Sequence, residues 1–245
     1  MGESISMQPL FDKLIGCKAS DFFQQLKNAL ITEQRMFIVT ANPETFKTAS
    51  QDDDFYHLLV AEETTMVPDG IGIVKAAKML GLDIEERIPG VDIATQLLQH
   101  AQELEKSVYL FGAKPEVIEK MKRLMQERYP QAKLVGTCDG YVKDKDEVFE
   151  TIAQLKPDVV LVALGIPAQE NLIYRHLQSF SKGIIVGVGG SFDVISGTKK
   201  RAPKFFIKLN LEWLYRILKE PSRWKRFFKN NWGFILEVRN MKKRG

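Results

Sequence analysis

Asp69 stands in the run Val67-Pro68-Asp69-Gly70-Ile71-Gly72, a carboxylate at the end of a short apolar stretch with glycines on its C-terminal side. Glycine lets a backbone and a ligand approach closely. A carboxylate held there faces a bound molecule and can take a proton from it as a general base. The same position suits an N-cap for a helix starting near Ile71, and residue types alone leave both readings open. Arg87, in Glu86-Arg87-Ile88-Pro89-Gly90-Val91-Asp92, lies in a turn before the next helical pattern. It is a phosphate-binding candidate, or a surface arginine paired with Glu85 or Glu86; Asp92 reads as a helix-start residue. Gln169-Glu170-Asn171 opens another helix, and its polar groups could bond sugar hydroxyls or a base, or stabilise the helix dipole. Gly187–Asp193 is a glycine-rich turn that is neither GxGxxG nor a P-loop, so by itself it is a weak nucleotide signal.

Other chemistries find little support. Asp52-Asp53-Asp54 has the D-x-D spacing that many sugar transferases use to hold a divalent metal. It precedes Phe55, Leu58 and Leu59 at helical spacing, so an N-cap followed by first-turn acids explains it without metal. His57, His100 and His176 form no metal-like cluster, and neither HExxH nor GxSxG occurs. Cys17 and Cys138 are far apart and in no CxxC pair, which argues against a disulfide framework or a zinc site and fits a reducing cytosol. The N-terminal residues lack a secretory signal pattern, and no run of about 18 apolar residues reads as a membrane span.

Elements that could position these residues are legible. Apolar runs at Met36–Thr40, Ser107–Phe111, Lys133–Gly136, Asp158–Leu164 and Gly183–Val188 read as strands, and Met66-Val67 ends another. Helical patterns cover about 20–34, 71–80, 91–105, 114–129, 145–156 and 168–180. Alternation of strands and helices predicts an α/β fold: a mostly parallel sheet with helices on both faces. Ligands of such sheets sit beyond the carboxyl ends of the strands. The segments that follow the strands are Ala41-Asn42-Pro43, Pro68-Asp69-Gly70, Gly112-Ala113-Lys114, Gly165–Glu170 and Gly189–Asp193.

From about Pro203 the alternation gives way to basic, aromatic, helical sequence. Residues 199–245 hold fifteen Lys/Arg against three acids, so the modest net charge of +4 hides an acidic body and a basic tail. All three tryptophans, Trp213, Trp224 and Trp232, lie in that tail. Basic plus aromatic surface suits an anionic membrane or a nucleic acid; the acidic body argues against a polynucleotide footprint. Arg216, Lys219, Arg223 and Arg226 would share one face of a continuous helix, which Pro221 is expected to interrupt.

Together these residues resemble the TagA/WecG/CpsF family of bacterial glycosyltransferases, glycosyltransferase family 26. The resemblance runs through nearly the whole chain. It rests on Thr40-Ala-Asn-Pro43, Val67-Pro-Asp-Gly-Ile-Gly-Ile-Val74, Arg87-Ile-Pro-Gly-Val-Asp92, Phe111-Gly-Ala113, Leu164-Gly-Ile-Pro-Ala-Gln-Glu170 and Gly187-Val-Gly-Gly-Ser-Phe-Asp193. Arg201-Ala-Pro203, Leu211-Glu-Trp-Leu-Tyr-Arg216 and Glu220-Pro-Ser-Arg-Trp224 complete it, in the family's order. Ala168 departs from the pattern, because relatives often carry lysine there.

The resemblance implies a Rossmann-like catalytic domain over residues 1–198 and a helical, membrane-associating appendage over 199–245 that completes the active site. It implies metal-independent, inverting transfer of N-acetylmannosamine from UDP-N-acetylmannosamine to undecaprenyl-diphosphate-linked GlcNAc, in wall teichoic acid linkage-unit synthesis, with no cofactor. It raises Asp69 to the general base. Thr40, Asn42, Gln169, Gly189 and Gly190 become substrate contacts, and Arg87, Arg216, Arg223 and Arg226 become diphosphate ligands. The expected location is cytoplasmic, peripheral on the inner face of the plasma membrane, with self-association through tail aromatics off the membrane. Rival readings are a nucleic-acid-binding protein with a basic arm, and a sugar-nucleotide transferase with a soluble acceptor.

Overall fold

The computed structural model describes residues 6–209 and 211–219, and the positions 234, 235, 238, 239 and 241. The chain begins with α1 (Gln8–Asp12), α2 (Ala19–Ile31), β1 (Arg35–Ala41), α3 (Pro43–Ala49), α4 (Asp53–Val60) and β2 (Thr64–Pro68). Next come α5 (Ile71–Met79), α6 (Gly90–Glu103), β3 (Ser107–Gly112), α7 (Pro115–Arg128), β4 (Lys133–Cys138) and α8 (Lys145–Leu155). Then follow β5 (Val159–Ala163), α9 (Ala168–His176), β6 (Gly183–Gly187), α10 (Ser191–Ile195), α11 (Lys204–Lys208) and α12 (Glu212–Lys219). The six strands form one parallel sheet in the order β2-β1-β6-β5-β3-β4.

Strands covered on both faces must be apolar on both, and the central β5 (VVLVA) and β6 (GIIVG) are buried throughout. Strand alternation sends Phe37, Val39 and Ala41 of β1 to one face and Ile38 to the other. The first face is covered by α1, α3, α4, α5, α8 and α9, the second by α2, α6, α7 and α10. The expected strand over Asp158–Leu164 shortens to β5, although Asp158 still bonds both neighbours, its N–H donating to the Ser107 carbonyl and its carbonyl accepting from Ile184 N–H; its carboxylate accepts from Ser107 N–H and Oγ and from Lys182 Nζ. The helix expected over 168–180 ends at His176, and a 3₁₀ turn continues to Ser179. The D-x-D triplet starts α4, with Asp52 accepting from Phe55 N–H at 3.0 Å and Asp53 and Asp54 in the first turn.

Described residues of the tail pack on the body. Glu212, at the start of α12, is buried. Phe234 and Val238 join the first-face core, where the Phe234 ring lies 6.0 Å from Phe11 and 5.5 Å from Phe46. Trp224, Phe227, Phe228, Trp232 and the Pro221 break lie outside the described residues. No helix among the described residues is long and apolar enough to cross a membrane.

Candidate active site

β1 and β6 are neighbours, yet the chain leaves them in opposite directions. After β1 it enters α3 on the first face; after β6 it enters α10 on the second. That divergence opens a crevice at the carboxyl edge of the sheet, where ligands of parallel α/β folds bind. Thr40, next to last in β1, lies within it, its hydroxyl 3.4 Å from the Gly187 carbonyl. A Cβ placed on Gly90 would come within 3.4 Å of Thr40 Cγ2 and 3.7 Å of Ser191 Oγ, so Gly90 lets the start of α6 close on β1. Beyond β5 and β6, Cβ atoms on Gly165, Gly189 and Gly190 would meet nothing within 4 Å. Both loops therefore border open space. Gly165 (φ 83°) and Gly189 (φ 49°) adopt left-handed conformations that suit glycine.

Asn42 also stands at this edge, as the N-cap of α3. Its Oδ1 accepts from Glu44 N–H (2.8 Å) and Thr45 N–H (3.2 Å), and Thr45 Oγ1 accepts from Asn42 N–H. Only its amide nitrogen is then left to offer a ligand.

Asp69 follows β2 and extends the ladder, its N–H donating to the Ala41 carbonyl at 2.8 Å. It does not cap the helix that follows. α5 is capped by Gly70 (φ 132°), with no side-chain bond. The Asp69 carboxylate instead turns to α6, where Oδ2 accepts from Gly90 N–H at 3.3 Å. Helix N-termini attract negative charge, so the first turn of α6 holds this carboxylate beside Thr40.

Arg87 departs from both of its sequence partners. Glu86 accepts from Ala19 N–H, Glu85 lies near Lys18, and Arg87 bonds Glu212 of α12 at 3.1 Å. Arg201 makes a two-point pair with Asp92 at 2.5 and 2.9 Å, and its Nε lies 3.7 Å from Glu212. Burial works against the Arg201 charge, but the Asp92 bonds and the nearby charges of Asp92, Glu212 and Asp69 hold it above the usual guanidinium range. Four charged side chains thus join the Arg87 turn, α6 and the tail. Beside them lies a cavity of about 360 Å³, lined by Ile71, Val74, Arg87, Pro89, Asp92 and Ile207 among others. Of Arg216 only the backbone, in α12, is described, and Arg223 and Arg226 lie outside the described residues.

Gln169 is 2% exposed and holds two loops together. Its Oε1 accepts from Gly165 N–H (3.0 Å) and Gly189 N–H (3.1 Å), and its Nε2 donates to Glu170 Oε1 at 2.7 Å. Glu170 is fully buried, and its second oxygen has no hydrogen-bond partner. Burial pushes its carboxyl up to about 7, against the Gln169 hydrogen bond, and the Glu44 charge adds to the rise.

The folded state therefore keeps a proton that the unfolded chain releases between the ordinary carboxyl value of 4.5 and about 7. The share of Glu170 in stability is full below about 4.5, falls as pH rises to about 7 and is constant above that. Glu170→Gln should raise unfolding free energy by up to about 3 kcal/mol at pH 8 and by little below pH 5. Urea titrations at the two pH values measure this, and an equal gain at both would contradict it.

The model of the glycosyl transferase WecG/TagA/CpsF family matches residues 11–245. The chain belongs to this family. An N-acetylglucosaminyldiphosphoundecaprenol N-acetyl-beta-D-mannosaminyltransferase of Bacillus spizizenii is 40% identical over 213 residues, covering 86% of this chain and 82% of that protein. Proteins of the same name from Bacillus subtilis and Staphylococcus aureus (strain MW2) are 42% and 40% identical. They cover 77% and 78% of this chain, and 73% and 74% of their own lengths.

The protein is thus a WecG/TagA/CpsF glycosyltransferase with a six-stranded Rossmann-like sheet. In this member Asp69, Thr40, Asn42, Gly189 and Gly190 gather at one edge of the sheet, with Arg87 joined to them through the Asp92–Arg201–Glu212 cluster. Gln169 lies beneath that edge and shapes it. Arg201 and Glu212 went unassigned from sequence, although each lies in one of the family blocks, and Glu170 was read only with Gln169 and Asn171, as a hydroxyl ligand or a helix-dipole acid. Their spacing reports a helix start or a basic turn, and only the folded chain shows their partners.

Proposed function

We propose that this protein moves N-acetylmannosamine from UDP-N-acetylmannosamine to a GlcNAc carried on undecaprenyl diphosphate, in one inverting, metal-independent step. The observation that carries the reading is Asp69, a carboxylate seated on the α6 N-terminus at the mouth of an open crevice. The GlcNAc hydroxyl oxygen attacks the anomeric carbon while Asp69 takes its proton. The bond from that carbon to the UDP oxygen breaks, and UDP leaves with the electron pair. A single well-placed base is sufficient for such a displacement. The relatives' name specifies a beta-mannosaminyl product. A beta product made from an alpha-linked donor requires inversion at the anomeric carbon.

Charge grows on the departing diphosphate, and fixed cations or helix N-termini would stabilise it. Arg87 and the tail residues Arg216, Arg223 and Arg226 are assigned that work. Thr40, Asn42 and the Gly189–Gly190 turn contact the donor or the acceptor sugar, and Gln169 acts by holding the loops. Residues 199–245 serve as an appendage that completes the site over residues 1–198. UDP release with a short-chain lipid-diphosphate GlcNAc tests this: turnover should be undiminished in EDTA, and loss of turnover would contradict the metal-free step.

The acceptor is a membrane lipid, so the protein is assigned to the inner face of the plasma membrane as a peripheral enzyme. Exposed apolar groups on α11, its C-cap and α12 support this: Phe205 is 67%, Leu209 51% and Leu218 61% exposed. Each contributes up to about 1.5–3 kcal/mol if fully buried in lipid, and each nearby basic residue contributes roughly 1 kcal/mol at an anionic surface. Flotation should find the protein on vesicles containing anionic lipid, and Phe205→Glu with Leu209→Glu should weaken that binding at least about tenfold. Equal binding by the two proteins would remove the membrane role of these helices.

A further inference from the structure

Gln169 has one amide oxygen and one amide nitrogen, and which points where decides whether two loops are held. The oxygen faces two N–H donors, those of Gly165 and Gly189. Turned over, the amide would bring its NH₂ against both donors, and neither would have an acceptor. The two N–H donors favour this orientation, and an acceptor on the far side of the amide must complete it. Glu170 Oε1, receiving Gln169 Nε2 at 2.7 Å, is the partner that does so. Gly187 supports the same arrangement, because a Cβ there would lie 2.6 Å from Gln169 Nε2.

We propose that Glu170 is a positioning residue of the active site. Its carboxyl oxygen sets the Gln169 amide, and through it the strand-end loops at Gly165 and Gly189 that hold the nucleotide of the donor. The last clause rests on the functional reading above; the orienting role does not.

The chemistry of the position fits this work better than a plain core contact would. A leucine would fill the volume without an unsatisfied oxygen, yet the chain places a carboxyl here with Oε2 unpartnered and the whole side chain sealed from water. The neighbouring core supplied by β1, α4, α8 and β6 is apolar, with Val39, Leu59, Ile152 and Ile185 among its members. The charge that bears on Glu170 comes from Glu44 of α3 and is of the same sign. Below neutral pH a neutral acid sits there, with Oε1 accepting from Gln169 and the proton on Oε2. Above it, a carboxylate in a dry pocket beside another acid strains the clamp that it orients.

Two variants separate orientation from packing. Glu170→Gln keeps an acceptor oxygen opposite Gln169 and carries no charge. Glu170→Leu keeps the volume and removes the acceptor. Hydrogen exchange at the Gly165 and Gly189 amides reads the clamp without reference to activity. Exchange there should be at least about tenfold faster in Glu170→Leu, and unchanged in Glu170→Gln at pH 6. Calorimetry with UDP, at temperatures where each variant stays folded, reads the consequence: Glu170→Leu should bind UDP about tenfold or more weakly, and Glu170→Gln should match wild type. Above pH 7 UDP affinity should fall in wild type and stay level in Glu170→Gln.

Wild-type exchange at both glycines in Glu170→Leu would overturn the orienting role. So would a Glu170→Gln protein as impaired as Glu170→Leu at pH 6. Failure of the wild-type protein itself to bind UDP would overturn the nucleotide reading and leave the exchange result to decide the clamp. If Glu170→Leu does not fold, Glu170→Gln against wild type across pH 6–8 decides it: parallel pH dependence in the two proteins contradicts the proposal.

Discussion

Asp69→Asn should lower kcat by roughly 10²–10⁴, with UDP affinity changed by less than about threefold. Asparagine keeps an oxygen where Oδ2 accepts from Gly90 N–H, so the joint between β2 and α6 survives and the variant should fold as wild type does. What disappears is the proton acceptor. A base that acts only as the acceptor hydroxyl attacks contributes to the transition state and little to the bound ground state, so its loss appears in kcat. Steady-state turnover with calorimetric UDP binding measures both sides. A variant with near wild-type kcat would remove Asp69 from the chemistry, and one that fails to bind UDP would move it into donor binding.

The second large effect should come from Glu212→Ala. Glu212 is 3% exposed and bonds Arg87, with Arg201 Nε 3.7 Å away. Removing one partner of a buried ion pair typically costs about 3–5 kcal/mol, since the other charge keeps its desolvation penalty. Arg201 retains Asp92, and the Arg87 side chain keeps 14% exposure, so the lower end, about 3 kcal/mol, is the expectation. Urea unfolding measures it. The catalytic effect should be distinct from the loss of stability. Glu212 stands at the first turn of α12, the helix whose backbone carries Arg216, so below the unfolding temperature the variant should still show a raised KM for the donor. A loss below about 1 kcal/mol, the range of exposed pairs, would mean that the cluster is not what fastens the tail.

Much of the sheet was legible because buried parallel strands declare themselves as unbroken β-branched runs, and each sequence run from Met36 to Val188 became a strand with ends shifted by a residue or two. The short helices α1, α3 and α10 were not, because five to seven residues span too few turns to display a period. At the site, Asp69 and the glycine turns stood out through residue type and position after a strand. Partnership was harder. Arg87 had two acids beside it in sequence and pairs with a third, 125 residues away. Asp92, read as a helix-start residue, does stand in the first turn of α6, yet it also grips Arg201. Gln169 looked like a hydroxyl ligand because it opens a helix after a strand. Its burial and its three hydrogen bonds depend on where β6 lies, which local sequence does not encode. The burial of Glu170 was hidden for the same reason: an acid in a first helical turn is ordinary on a surface and exceptional only when the fold seals it.

The basic, aromatic tail gains definition from the fold. Its helices do not hang beside the body. Glu212 is buried against Arg87 and Arg201, and Phe234 packs on the touching Phe11 and Phe46 rings in the first-face core. Segments fastened at both ends hold α11 and α12 near the Asp69 edge, with Phe205, Leu209 and Leu218 facing outward.

The most direct test is the anomeric configuration of the sugar transferred from UDP-N-acetylmannosamine to a short-chain undecaprenyl-diphosphate GlcNAc analogue in EDTA, read from one-bond carbon–hydrogen couplings of the product. One-step displacement with Asp69 as base predicts a beta-linked product; an alpha-linked product, or no transfer, would contradict it.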